Sequence, residues 1–302
     1  MPKPQTLEGY SEHVTRNCER VLVTLLRNLG PHKNSLILVG GLTPRYLVPE
    51  RPPVVPQHAG TLDIDVVIDL VILEDTEAYR TLEVNLKKIG FERGENDRGQ
   101  KVNWRWKVRM DDGTSIVLEL LTDSPAIQGG RVQPIPEEGQ VSALNVPHSS
   151  IVFDLFDATQ VTAELLGENG IATETIRHAN IVSFTCLKAL AYDDRQERKD
   201  AHDLIYCLEH VPQKMDEIAA MFRESQRGKH SAVITDSLAR LRSRFATDEK
   251  AEGYTKDGPV AVARFEVGEE PEQREARTLR QREASTVIET LLKGIETPED
   301  AS

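Results

Sequence analysis

Residues 102–121 read VNWRWKVRMDDGTSIVLELL, and they constrain the fold more than any other stretch of this chain. Val102, Trp104, Trp106, Val108 and Met110 alternate with Asn103, Arg105, Lys107 and Arg109. A period of two places the apolar set on one face of a β-strand and the polar set on the other. DDGT (111–114) is a hairpin turn, and SIVLELL (115–121) is the returning strand. Trp104 and Trp106 fall opposite the cations, so they are expected in the core rather than as stacking platforms.

A second stretch, TLDIDVVIDL (61–70), sets Asp63, Asp65 and Asp69 among Leu62, Ile64, Val66, Val67, Ile68 and Leu70. Carboxylates in an apolar strand repel one another and resist desolvation unless something offsets the cost. Asp63 and Asp65 share a face about 7 Å apart along the backbone, whereas Asp69 lies about 13 Å beyond Asp65. Such a pair suits one or two divalent ions, and oxygen-only ligation favours Mg²⁺ or Mn²⁺ over zinc. The alternative is a set of strand-end acids paired with lysines or arginines.

Glu119 is the one charged residue of SIVLELL and is the expected third ligand, with Asp123 as the fallback should Glu119 point the other way. Gly40 and Gly41 close the strand SLILV (35–39), where missing side chains let backbone N–H groups approach a phosphate. No Walker loop or dinucleotide fingerprint accompanies them. Thr61 could add a hydroxyl toward a phosphate, and Arg45, just after the glycines, a cation. Arg105, Lys107 and Arg109 line one strand face as the candidate acceptor surface, for an RNA backbone or for the triphosphate itself. A solvated basic face is the plain alternative.

The remaining pattern divides the chain in three. Residues 1–178 form a mixed α+β core, with helices over 9–29 and 75–89, an irregular proline-rich loop over 48–60 and further short strands within 130–176. Residues 179–246 carry four helical patterns, at 180–193, 197–210, 213–226 and 230–245. Residues 247–302 hold a polar linker, a strand-like VAVARFEV and a charged helix over 271–293, with no role evident from sequence. The expected class is therefore α+β, a mixed-sheet core followed by a helical bundle.

The formal net charge of -12 argues against a protein that coats nucleic acid with its whole surface. One basic region stands out: between Lys87 and Arg109 eight cations face only Glu92, Glu95 and Asp97. Cys18, Cys186 and Cys207 are widely spaced, which predicts free buried thiols and neither a disulfide framework nor a zinc site. No apolar run is long enough for a membrane span, and the first residues lack a signal-peptide core, so a cytoplasmic protein is expected.

Together, a strand ending VGG, then TLDID, then a strand bearing one more acid resemble the nucleotidyltransferase superfamily related to DNA polymerase beta. LKALAYDDRQERKDAHDL (187–204) resembles the K…R…K-D-x-x-D signature of its AbiEii/MenT-type branch, which includes toxins of toxin–antitoxin and phage-defence systems. The resemblance implies a fold of that type over roughly residues 35–210. It implies metal ligation by Asp63, Asp65 and Glu119, and triphosphate contact by Gly40 and Gly41. It further implies a Lys188 that approaches the nucleotide's phosphates and an Asp200 that completes the site. The activity would move a nucleoside monophosphate from an NTP to an acceptor hydroxyl, for which the resemblance points to the tRNA 3′ end, with a cognate antitoxin as a partner.

Asp200 and Asp203, three apart on a helix, share a face and could equally form an ordinary interhelical salt bridge with Lys188. AHD (201–203) also holds the His-Asp pair of metal phosphohydrolases, but the other histidines (His13, His32, His58, His148, His178, His210 and His230) form no matching set in sequence. A catalytically inactive relative acting as a binding or antitoxin-like protein is the rival reading, and a small-molecule nucleotidyltransferase of the aminoglycoside type is another.

Overall fold

The computed structural model describes residues 4–69, 76–96, 98–132, 141–167 and 169–297. Residues 70, 75, 97 and 133–140, on which parts of the expected strands, helix and charge pattern fall, lie outside the described residues. The chain forms two compact units. The sheet unit comprises residues 11–46 and 60–180; the helical unit comprises 1–10, 47–59 and 181–302.

In the sheet unit the order is α1 (Glu12–Leu29), β1 (Leu36–Val39), α2 (Pro44–Leu47, whose last residue belongs to the other unit), β2 (Asp63–Ile68), α3 (Thr76–Lys88) and β3 (Glu92–Glu95). There follow β4 (Lys101–Arg109), β5 (Ser115–Thr122), β6 (Leu144–Asn145), β7 (Phe156–Glu164) and β8 (Ile171–Ala179). The described strands make one eight-stranded sheet in the order β3-β4-β5-β2-β1-β8-β7, with β6 beside β5. The sheet is mixed: β2 runs antiparallel to β1 and parallel to β5, and β4 pairs antiparallel with β5. With the helices of the second unit, the fold is α+β.

The β4–β5 hairpin forms as its alternation predicts. Asp112 Oδ1 accepts from the Thr114 amide at 2.8 Å, and Gly113 takes φ +84°, a left-handed turn position suited to glycine. One face of the sheet carries Leu38, Ile64, Val66, Ile68, Trp106, Val108, Ile116, Leu118 and Leu120 into a core with Cys18, Val21, Leu22 and Leu25 of α1 and Leu82 and Leu86 of α3. Each such side chain contributes about 1.5–3 kcal/mol when taken fully out of water. On the opposite face Ile37, Val67 and Leu121 are buried, and the helical turn 149–153 packs against β2 and β5. Asp63, Asp65 and Glu119 share that second face by parity.

The helical unit contains α4 (Ile181–Arg195), α5 (Arg198–His210), α6 (Met215–Gln226), α7 (Ser231–Phe245), α8 (Asp257–Val267) and α9 (Arg274–Glu296). The first four agree with the helical periodicity. The strand-like VAVARFEV is instead helix α8: Pro259 sits in its first turn, where no intrahelical donor is lost. Ala261, Val262 and Phe265 are buried, and α8 packs on α5 and α9. A short alternating run is ambiguous in isolation, and this packing decides it.

Two further boundaries differ from the sequence expectation. The C-terminal residues belong to the helical unit, since Ala284, Ile288, Leu291 and Leu292 of α9 are buried. The proline-rich loop, free of helix and strand between residues 48 and 60 as expected, joins the helical unit through residue 59. There the Tyr206 hydroxyl donates to the Pro56 carbonyl at 2.9 Å.

Candidate active site

The acidic site of the sheet unit follows from register. β2 and β5 run parallel with Asp65 beside Glu119 and Asp63 beside Val117, so the three carboxylates emerge from one face of adjacent strands. The antiparallel pairing of β1 with β2 sets Val39 against Asp65 and brings Gly40 onto that carboxylate. Gly40 has φ +70°, and a Cβ there would lie 2.0 Å from Asp65 Oδ2. Both the backbone conformation and the close approach therefore require glycine.

Thr61 is buried, and its hydroxyl oxygen lies 2.9 Å from Asp63 Oδ1 and 3.0 Å from the Asp63 carbonyl. It orients Asp63 rather than presenting itself to a phosphate. The field of the acids reaches the neighbouring helix: burial pushes the Cys18 thiol up, and Asp63 and Asp65 push it further. Cys18, Cys186 and Cys207 are free and buried, as expected.

Glu119 is held by Arg105. The guanidinium Nε and Nη2 lie 2.8 and 2.7 Å from Glu119 Oε1, Nη1 donates to the Glu95 carbonyl at 2.9 Å, and the group stacks 4.7 Å from the Trp104 ring centroid. Arg105 was expected on an acceptor surface; here it neutralises the third acid. Lys107 and Arg109 continue the same face toward the hairpin turn. Trp106 is core, 1% exposed, as expected, whereas Trp104 is only half-buried, and the Arg105 guanidinium lies over its ring.

Two other expected residues are occupied elsewhere. Arg45 Nε and Nη1 lie 2.8 Å from Glu19 and 2.8 Å from Glu12, tying α2 to α1. Asp123, the fallback acid, accepts from the Ser150 amide at 3.2 Å and hydroxyl at 2.6 Å, fastening the 149–153 turn.

In the helical unit the second signature closes into a buried ion network. Lys188 Nζ of α4 donates to Asp200 Oδ1 at 2.8 Å and to Asp203 Oδ2 at 2.6 Å, both on α5. Arg195 grips Asp200 through Nε and Nη2 at 2.6 and 2.9 Å, and Lys199 Nζ lies 2.7 Å from Asp203 Oδ1. Burial opposes the ionisation of Asp200, but Lys188 and Arg195 outweigh it and hold its pKa at about 2. Asp203 is likewise well below the ordinary carboxylate range, with Lys188 and Lys199 overcoming its burial. Burial alone would discharge Lys188; the two aspartates keep it charged.

His58 is the residue that sequence reasoning missed. It comes from the proline-rich loop, and its Nε2 lies 2.9 Å from Asp203 Oδ1. Its ring stacks on His202 with centroids 5.3 Å apart. The structure thus adds one of the other histidines, His58, to the AHD pair. Nothing local signals it, since His58 and His202 are far apart in the chain.

No protein-family model matches the chain, and no curated protein matches it.

Proposed function

We propose that the chain is a metal-dependent nucleotidyltransferase of the AbiEii/MenT type, moving a nucleoside monophosphate from an NTP to an acceptor hydroxyl. The observation that carries the proposal is the register of β2 with β5, which sets Asp65 beside Glu119 while Gly40 packs on Asp65. Clustered carboxylates on the less covered part of a sheet face, beside a glycine turn, have little use in a purely structural role.

The donors fit a hard divalent cation, being carboxylate oxygens from adjacent strands. Asp63, Asp65 and Glu119 would hold Mg²⁺ or Mn²⁺. When bound, such ions neutralise charge on the triphosphate and favour ionisation of the attacking hydroxyl. The backbone of Gly40 and Gly41 offers N–H groups to phosphate oxygens. Thr61 keeps Asp63 oriented. One of the carboxylates accepts the acceptor's proton as its oxygen bonds to the α-phosphorus and the bond to pyrophosphate breaks. Arg105 holds Glu119, and a guanidinium in this place would also offer charge to phosphate, with Lys107 and Arg109 extending the row.

The second signature is assigned differently from the resemblance. Lys188 and Asp200 are committed to each other, so we give them the role of holding the helical unit together. The acceptor favoured by the resemblance is the tRNA 3′ end, which would make the protein a growth-inhibiting toxin with a cognate antitoxin, acting in the cytoplasm. Among the described residues no helix is long and apolar enough to cross a membrane.

The rival is a non-catalytic binding protein, and the Arg105–Glu119 ion pair is the observation in its favour. Incubation with each α-labelled NTP, Mg²⁺ and total RNA, then with protein and aminoglycoside acceptors, separates the two. Label transferred by wild type and not by Asp65→Ala supports the enzyme; equal, negligible transfer to every acceptor class supports the binder.

A further inference from the structure

The His58, His202 and Asp203 cluster lies wholly within the helical unit, and the proposed reaction leaves it unused. One donor atom from each residue lies within 4.8 Å of the others. His202 and Asp203 are consecutive on α5, and His58 arrives from the 47–59 segment. We propose that these three side chains bind one divalent first-row transition ion, Zn²⁺ or Co²⁺ by chemistry, which staples the 47–59 segment to α5.

The tautomer of His202 is the decisive detail. Its Nδ1 lies 2.7 Å from Glu266 Oε1, and Glu266 is gripped in turn by Arg280 at 2.5 Å. Arg280 holds both oxygens of Glu266, Nε at 2.5 Å from Oε2 and Nη2 at 3.2 Å from Oε1, so the group is an ion-paired carboxylate that accepts a hydrogen bond from the imidazole. A neutral imidazole that donates to this carboxylate carries its hydrogen on Nδ1 and presents a lone pair at Nε2. That Nε2 is buried and has no hydrogen-bond partner. An imidazole held from behind by a carboxylate, with its other nitrogen bare, is the arrangement of a metal-ligating histidine.

Two imidazoles and a carboxylate suit zinc, cobalt or nickel, and disfavour Mg²⁺, which demands oxygen donors. Metal–ligand bonds of about 2.0–2.2 Å require the donors to close in by on the order of 1 Å. The ion takes the place of the proton between His58 Nε2 and Asp203 Oδ1, and the His58 proton moves to Nδ1, so the imidazole stays neutral. The side chains of His202 and Asp203 are 4% and 0% exposed, which makes the site structural rather than catalytic. Lys199 is the competitor: its ammonium lies 2.7 and 2.9 Å from the two oxygens of Asp203, and it must yield one of them.

The test uses the full chain carrying Asp63→Asn and Asp65→Asn, so that the sheet unit's acids do not contribute. After chelator treatment the protein is titrated with Co²⁺, read by visible d–d absorption, and with Zn²⁺, read by elemental analysis and thermal shift. The expected result is one equivalent of either ion, a raised melting temperature, and loss of binding in His202→Gln. Glu266→Gln weakens binding by about 10–100-fold, and Lys199→Met tightens it. Absence of stoichiometric Co²⁺ and Zn²⁺ binding, or binding that His202→Gln leaves unchanged, overturns the proposal. If His202→Gln does not fold, unchanged affinity in both Glu266→Gln and Lys199→Met overturns it. The site is separate from the transferase reading, and either can fail alone.

Discussion

Asp65 and Glu119 stand side by side on parallel strands β2 and β5, and Arg105 holds Glu119 from the strand beyond. This row of two acids and a cation gives the sheet unit its chemical character.

Asp65→Ala should lower nucleotide transfer by about 10³-fold or more, the scale on which removing a key electrostatic group acts. Its melting temperature should stay close to that of wild type, because relief of carboxylate repulsion offsets the contacts that Asp65 loses. Parallel transfer assays and thermal melts check both; a large drop in stability would mean that Asp65 is structural.

Gly40→Ala should destabilise the protein by about 1–3 kcal/mol and abolish transfer. Its φ of +70° strains any side chain, and the added Cβ would strike Asp65 Oδ2 at 2.0 Å. Urea unfolding gives the first number and label transfer the second.

Arg105→Met should leave the strands intact and release Glu119. The Mg²⁺ concentration for half-maximal transfer should fall by about fivefold, equivalent to about 1 kcal/mol for a partly exposed ion pair. A Mg²⁺ titration of transfer rate measures it. An unchanged requirement would place Glu119 outside the metal site.

Lys188→Met should destabilise the helical unit by about 3–5 kcal/mol, since Asp200 and Asp203 lose their shared cation in a buried setting. Denaturant unfolding followed by circular dichroism reports it. Near-wild-type stability with lost transfer would return Lys188 to the nucleotide, as the motif resemblance has it.

His178 makes stability pH-dependent. Burial lowers its pKa, its Nε2 lies 3.0 Å from Thr159 Oγ1, and its ring stacks on Tyr46. The folded state keeps the ring neutral while the unfolded chain takes up a proton below the ordinary histidine value of about 6.5. Stability therefore falls as pH drops through that value, with a slope approaching about 1.4 kcal/mol per pH unit from this group. His178→Gln should flatten the slope by that amount in unfolding experiments between neutral and mildly acidic pH.

Much of the fold was legible because its signals are local. Strict alternation located β4 and β5, and helical spacing located α4 to α7 within about two residues. Alternation also placed Asp63 and Asp65 on one face and left the direction of Glu119 to the register of β5, which the structure supplies. It misassigned α8, where a short apolar run carries both periods and packing on α5 and α9 selects the helix.

The candidate site was legible in its residue types and less so in their partners. Thr61 and Arg45 were read as phosphate ligands because they lie near the acids or the glycines in sequence, and Arg105 as an acceptor ligand because it lines the basic face of an alternating strand. The structure turns Thr61 onto Asp63, Arg45 onto Glu12 and Glu19, and Arg105 onto Glu119. Lys188 and Asp200 met as one of the two readings allowed, an interhelical ion pair.

Sequence alone determined which residues share a strand or helix face, since that depends only on the backbone period of a few neighbouring residues. Tertiary structure decided which strand lies beside which, and hence that Glu119 meets both Asp65 and Arg105. It also decided that His58, from a loop with no regular period, reaches His202 and Asp203. Such pairings join segments distant in the chain, and burial and register across the whole unit select them; no local pattern encodes them.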